Sequence, residues 1–376
     1  MAQQGEKPEE GGMNATYWRH LDTISASRLR ERQRGLTFRL PRVNNQPTPN
    51  AERILLAVNA AIHLRRPLLV TGLPGSGKTS LAYAIAAELG LGPVLVWSIT
   101  PRSRLLEDGL YRYDALARLQ QADLDRRAER PGQALQPPPI DPYLRLGPVG
   151  TAFLPSRWPR VLLIDEIDKG DLQLPSELLH LFEEGGYEIS ELTRAVSGTD
   201  DSGHTIRTAD AKAAAAGDGR EQPLPVTLRS GFVRCHEFPI VVMTSNRERE
   251  FSPAFHRRCI RVSMPPPDET ALTPIVAAHF AGETLSANGR QELRREIQTF
   301  LGLDADGAGD GEGPGASPSA ISDRAVDQLL NTLFLLTRES KDGPTDAQRN
   351  ELRRILYRNL SDPSDEPDAR GPGRSS

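Results

Sequence analysis

The chain is poor in cysteine: Cys235 and Cys259 are the only two in 376 residues. No disulfide framework can support such a fold, and a reducing cytosol is the simpler home. Long apolar runs are missing as well. No stretch of 18 apolar residues occurs, and the opening "MAQQGEKPEEGGMNA" has nothing resembling the apolar segment of a signal peptide. A cytoplasmic protein with no membrane role is therefore expected. Nor is there an excess of one charge: 46 basic and 50 acidic residues leave a net charge of −4, with no global pull toward nucleic acid or anionic lipid. The two cysteines and their neighbours His236 and His256 make no recognised zinc spacing, which argues against a metal site there. Lysine is scarcest among the basic residues. Arginine stands almost everywhere, and only Lys7, Lys78, Lys169, Lys212 and Lys341 are lysine. In such a chain a retained lysine points to a use for it.

What is present first sets the organisation. The length suits about two domains, and 38% hydrophobic with 26% charged residues fits a globular protein with polar inserts. Residues 1–45 read as a basic, partly disordered extension, with seven arginines in 16–42 against Asp22 and Glu31. Residues 46–268 alternate helical and strand patterns, which predicts a parallel sheet sandwiched by helices, an α/β fold. In this region "NAERILLAVNAAIHL" spaces Ile54, Leu55, Val58 and Ile62 as a helix, and "KTSLAYAIAAELG" is a helix ending at Gly90. "LPSELLHLFEEGG" is a third helix, with Pro175 near its start. Two insertions interrupt the region. Residues near 101–150, in a stretch rich in Arg, Pro and Gln, are expected as helix and loop, and 198–222 as a loose polar excursion. Trp97, Trp158 and Tyr187 are read as packing residues. Residues 269–360 form a small all-helical module broken by a flexible loop at 303–318, where five glycines and four acids meet no base. A disordered tail, 361–376, closes the chain.

The chemistry sits in four places. "GLPGSGKT", Gly72 to Thr79, follows an apolar strand and opens a helix, the context a phosphate-binding loop requires. Gly72, Pro74, Gly75, Ser76 and Gly77 form a tight turn whose N–H groups approach phosphate oxygens. Lys78 reaches the β- and γ-phosphates, the Thr79 hydroxyl ligates Mg²⁺, and Ser80 completes the first helical turn. "VLLIDEIDK", residues 161–169, is an apolar run ending abruptly in carboxylates. Such a rim of charge beside a buried strand needs a positive group, and magnesium on bound ATP supplies it. Asp165 then holds the metal while Glu166 activates the attacking water as general base. Asp168 and Lys169 are read as helix-entry charges or subunit contacts. "VVMTSN" ends an apolar strand at Asn246, whose amide can hold the same water from the other side. "FSPAFHRRCIRV" places Arg257 and Arg258 eleven and twelve residues further on, where an arginine at a subunit edge can stabilise charge on a neighbour's γ-phosphate.

In that order, the phosphate loop, the Asp-Glu strand end, the strand-terminal Asn and the arginine pair resemble the AAA+ ATPases. The texture of "RPLLVTGLPGSGKTSLAYAIA", "LGPVGTAFLPSRWPRVLLIDEIDK", "ELLHLFEEG" and "PAFHRRC" is most similar to their MoxR-like branch, over roughly residues 50–340. The resemblance implies that Asn246 is the sensor 1 residue and that Arg258, with Arg257, is the arginine finger. It implies too that Arg324 in "SDRAVDQLL" is the lid arginine that touches nucleotide, in a helical lid spanning 269–360. It further implies a homo-oligomer, a hexameric ring, and a protein client such as a von Willebrand factor A domain protein. The long 198–222 segment and the acidic loop at 303–318 depart from that pattern. Other readings weigh less. A GTPase lacks its Asn-Lys-x-Asp motif here, a small-molecule kinase has no use for Glu166, and a non-hydrolysing scaffold would not need every catalytic position filled. A motor acting on nucleic acid, or within a defence or restriction-type complex, draws its support from the arginines of 16–42.

Overall fold

The computed structural model describes residues 34–265 except 37, 39, 44–45, 129–137, 196–202 and 213–221, together with 272 and 297. It divides into two compact units. One takes in Arg53–Thr71 and Lys78–Ser263; the other takes in Arg39–Glu52, Gly72–Gly77 and the described residues from Met264 onward. The proposed lid with Arg324, the loop at 303–318, the terminal tail and the arginine-rich segment before Arg34 lie outside the described residues.

In chain order the elements begin with the short antiparallel pair β1 (Arg42–Val43) and β2 (Gln46–Pro47), then α1 (Pro49–Leu64), β3 (Leu68–Thr71), α2 (Lys78–Leu89) and β4 (Leu95–Ser98). A π-helical turn at Leu105–Leu110 leads into β5 (Tyr111–Tyr113), α3 (Ala115–Ala128), β6 (Leu144–Leu146) and α4 (Pro148–Ala152). Next come β7 (Val161–Asp165), α5 (Leu174–Glu184), β8 (Gly186–Glu188), α6 (Ser190–Ala195), β9 (His204–Lys212), β10 (Gln222–Leu228) and β11 (Phe232–Arg234). The described elements close with β12 (Ile240–Ser245), α7 (Pro253–Arg258) and β13 (Ile260–Ser263).

Five strands form the central sheet in the order β13-β3-β12-β7-β4, every neighbouring pair parallel. With its flanking helices this is the α/β architecture expected from the alternation. Parallel strands covered on both faces must be apolar throughout. Val161, Leu162, Leu163 and Ile164 are all fully buried, each contributing about 1.5–3 kcal/mol of transfer free energy. The expected helices form as α1, α2 and α5. Gly90 and Gly185 end the latter two at φ 64°, a left-handed C-terminal turn that suits glycine. On α1 the buried stripe runs through Ala51, Ile54 and Ala61, while Leu55 is exposed.

Both insertions differ from their expected form, and for one reason. A second sheet has the order β10-β9-β6-β5: the first insertion supplies β5 and β6, and the supposed loose excursion supplies β9 and the first residue of β10. The inward positions of β9 are Ile206, Thr208 and Asp210, all buried, so two of three are polar and the strand lacks an apolar face in the sequence. Partners elsewhere offset the burial. Thr208 Oγ1 donates to the Leu224 carbonyl at 2.8 Å. Asp210 is clasped in a fork by Arg160, with Nη1–Oδ2 2.7 Å and Nη2–Oδ1 2.9 Å. The side chains of Arg160 and Asp210 are 2% and 0% exposed. Arg160 immediately precedes β7 and also donates to the Pro93 carbonyl, so this ion pair ties the inserted sheet to the central one. Trp158 is a further correction. It is 63% exposed, with the Arg157 guanidinium over its ring, whereas Trp97 and Tyr187 are buried as expected.

Candidate functional site

The carboxyl ends of the central strands are level. Register pairs Ser263 with Thr71, Thr71 with Ser245, and Ser98 with Asp165. Because β12 lies between β3 and β7, the residue that ends it, Asn246, stands between the end of the loop-bearing strand and the end of the Asp165 strand. Sequence alone does not disclose that neighbourhood.

Asp165 Oδ1 is the meeting point. It accepts a hydrogen bond from the Thr79 hydroxyl in the first turn of α2 at 3.0 Å, and another from Thr244 Oγ1 at 2.6 Å. Thr244 Oγ1 in turn accepts the Glu166 N–H at 2.8 Å. Thr244 is a member of this cluster that sequence reasoning misses. A hydroxyl on an otherwise apolar strand, two residues before the Asn, is the signal that could have found it. Lys78 begins α2 and is 7% exposed. Burial pulls its pKa below the usual lysine value, opposed by the carboxylates of Asp165, Asp168 and Glu166. The fold thus holds an ammonium where desolvation disfavours its charge, a setting that an added polyanion relieves. Ser80 Oγ accepts a hydrogen bond from Arg34 Nε at 2.9 Å, and the Arg34 guanidinium lies over the Tyr83 ring.

Glu166 has φ 61° and ψ 47°, left-handed values that an L-residue adopts at a cost of order 1–3 kcal/mol. That turn swings its side chain out of the strand direction. Its Oε2 meets the Lys169 ammonium at 2.8 Å, both side chains being part-exposed. Lys169 is thus a partner of Glu166, and the pairing raises the lysine's pKa above its usual value. Arg247, next to Asn246, is left-handed too, at φ 64°. Its Nη2 donates to Thr71 Oγ1 at 3.0 Å and Ser263 Oγ at 2.9 Å, joining the ends of β3 and β13. Arg249 donates to the Gly170 and Asp171 carbonyls, fastening the same stretch to the turn after Glu166. Neither arginine stands out in the sequence, where both read as surface charge.

The loop Gly72–Gly77 has φ of 74° at Gly75 and 89° at Gly77, values that favour glycine. A Cβ on Gly72 would stand 2.8 Å from the Met264 carbonyl. Within this loop Ser76 Oγ is buried with no hydrogen-bond partner among the described residues. An unsatisfied buried hydroxyl amid the N–H groups of a glycine turn suits a phosphate. The Thr79 hydroxyl and the Asp165 carboxylate suit magnesium, which keeps most of its shell as water and phosphate oxygens. The residues present fit Mg-ATP. Arg258 Nε contacts Glu183 Oε1 of α5 at 2.5 Å, while the adjacent Arg257 is exposed. Among the described residues no helix is long and apolar enough to cross a membrane.

Comparison with known proteins places little beside this site. No family model and no curated protein matches the chain. Among solved structures, a RuvB mutant from Thermotoga maritima is similar at 16% sequence identity, covering 81% of this chain and 69% of that one, with a TM-score of 0.33.

Proposed function

We propose that this chain is a cytoplasmic AAA+ ATPase of the MoxR-like kind, which binds and hydrolyses Mg-ATP at the interfaces of a homo-oligomeric, hexameric ring. Its work is to remodel or mature a protein client, and a von Willebrand factor A domain protein is a fitting partner. The observation that most supports the reading is the 3.0 Å hydrogen bond between Thr79 and Asp165. It joins two segments 86 residues apart, one following the glycine loop and one ending a fully buried strand.

In this reading the loop N–H groups and Lys78 neutralise the triphosphate. Thr79 and Asp165 hold magnesium, which when bound draws charge from the phosphoryl oxygens. Glu166 takes a proton from the attacking water, and the Asn246 amide fixes that water from the other side. Lys78→Ala tests the foundation. ATP affinity is expected to fall about 10- to 100-fold, because a charge-assisted contact is lost from a desolvated place. A fluorescent ATP analogue titrated against both proteins measures it, and an unchanged affinity would sink the loop assignment.

Of the arginine pair, Arg257 is the better candidate to enter a neighbour's site. Arg258 is occupied by Glu183 on its own chain and braces α7 against α5. Arg257→Ala is expected to lower turnover about 10- to 50-fold, less than loss of a fixed oxyanion donor, because an exposed side chain is held less rigidly than such a donor. Mixing Arg257→Ala with Lys78→Ala subunits should recover activity, since each supplies the half the other lacks. Light scattering in ATP gives the ring size. If a proven oligomer shows no recovery on mixing, the arginine does not act between subunits.

A further inference from the structure

Asp168 is 5% exposed, so a subunit contact does not describe it. It sits in the 3-10 turn Ile167–Lys169, immediately after the left-handed Glu166. Its Oδ2 accepts hydrogen bonds from the Ser245 hydroxyl at 3.0 Å, the Asn246 N–H at 2.9 Å and the Glu248 N–H at 3.1 Å. All three donors belong to the stretch that ends β12. One carboxylate oxygen thus gathers the main chain on both sides of Asn246, with charge-assisted bonds in a buried place where they are strongest.

The side chain of Asn246 has little else to hold it. Its Nδ2 meets Glu248 Oε1 only at 3.5 Å. Where the amide points is therefore set by its backbone, and its backbone is set by Asp168. Asp168 rides on the same short turn as Glu166, whose own N–H is pinned to Thr244. Arg249 closes the interlock from the opposite direction, through the Gly170 and Asp171 carbonyls. Glu166 and Asn246 come from segments 80 residues apart in sequence, yet Asp168 ties the two together through three hydrogen bonds.

We propose that Asp168 is a positioning residue for hydrolysis, seating Asn246 so that its amide and the Glu166 carboxylate face the same water. The proposal rests on the roles given above to Glu166 and Asn246. Asp168 acts here as a hydrogen-bond acceptor, its Oδ2 surrounded by the donors of the β12 end. Its other oxygen, Oδ1, makes no hydrogen bond among the described residues. An asparagine can therefore keep the accepting oxygen in place, losing the charge and setting an amide NH2 where Oδ1 stood.

Steady-state ATP turnover and ATP-analogue binding of the full chain with Mg²⁺ test this. Asp168→Ala should lower kcat about 30- to 100-fold with KM for ATP within about threefold of the parent, a split that general loosening of the site would not give. Asp168→Asn should stay within about fivefold of the parent. In an Asn246→Ala background, Asp168→Ala should add less than about threefold, as expected for two residues on one path. Three results overturn the proposal: Asp168→Asn as inactive as Asp168→Ala, additive losses in the double variant, or equal falls in kcat and affinity. Should Asp168→Ala not fold, Asp168→Ser, which also removes the carboxylate, takes its place in both comparisons. If Asn246→Ala and Glu166→Gln themselves hydrolyse ATP at the parent rate, the reading of the site fails. If they are inactive while Asp168→Ala turns over normally, only the positioning role fails.

Discussion

Asp210→Ala is expected to destabilise the protein by about 3–5 kcal/mol, the cost of removing one partner from a buried ion pair. The Arg160 guanidinium would remain inside without the Asp210 carboxylate, since its side chain is 2% exposed and cannot reach water without opening the fold. For a body of this size that corresponds to a melting temperature lower by about 6–20 °C. Calorimetry or a chemical denaturation curve reads it directly. Because Asp210 stands on β9 and Arg160 leads into β7, the inserted sheet should loosen from the central sheet first. The double change Arg160→Met with Asp210→Leu should recover much of the loss, as it removes both charges and keeps apolar volume. A single Asp210→Ala protein as stable as the parent would mean that the two sheets are not joined there.

Glu166→Gln should bind ATP about as well as the parent and hydrolyse it about 10²- to 10⁴-fold more slowly. The substitution keeps the side chain's shape and removes only its ability to take a proton. Affinity should hold because the groups assigned to the triphosphate, Lys78 and the glycine loop, are untouched. So is Thr244, which fixes the Glu166 backbone through the N–H that glutamine retains. The ion pair with Lys169 weakens to a neutral hydrogen bond, a minor change for two part-exposed side chains. Phosphate release, measured alongside analogue binding, separates the outcomes, and normal turnover would show that another group is the base. The same variant, held in its ATP-bound form, would be the reagent for capturing the proposed client.

The glycine loop and the carboxylate-ended strand are legible in the sequence because their chemistry is local. A tight turn demands glycine, a strand buried on both faces demands an unbroken apolar run, and both demands are met within a few consecutive residues. The α/β alternation is legible for the same reason. The second sheet is not. Buried polar residues such as Thr208 and Asp210 look like loop until their partners, the Leu224 carbonyl and Arg160, are known. Trp158 fails in the opposite sense, an aromatic that packs in most sequences and here lies on the surface.

From its amino-acid order alone, this chain determined the strands and helices of the central layer, the place of the glycine turn, and which two acids end the buried strand. Tertiary structure decided which distant groups stand together: Thr79 and Thr244 on Asp165, the β12 end on Asp168, Arg160 on Asp210. The division follows from range. Backbone sterics and periodic burial act between near neighbours and leave a mark in sequence spacing, whereas a buried charge or hydroxyl is satisfied by whatever the fold brings beside it.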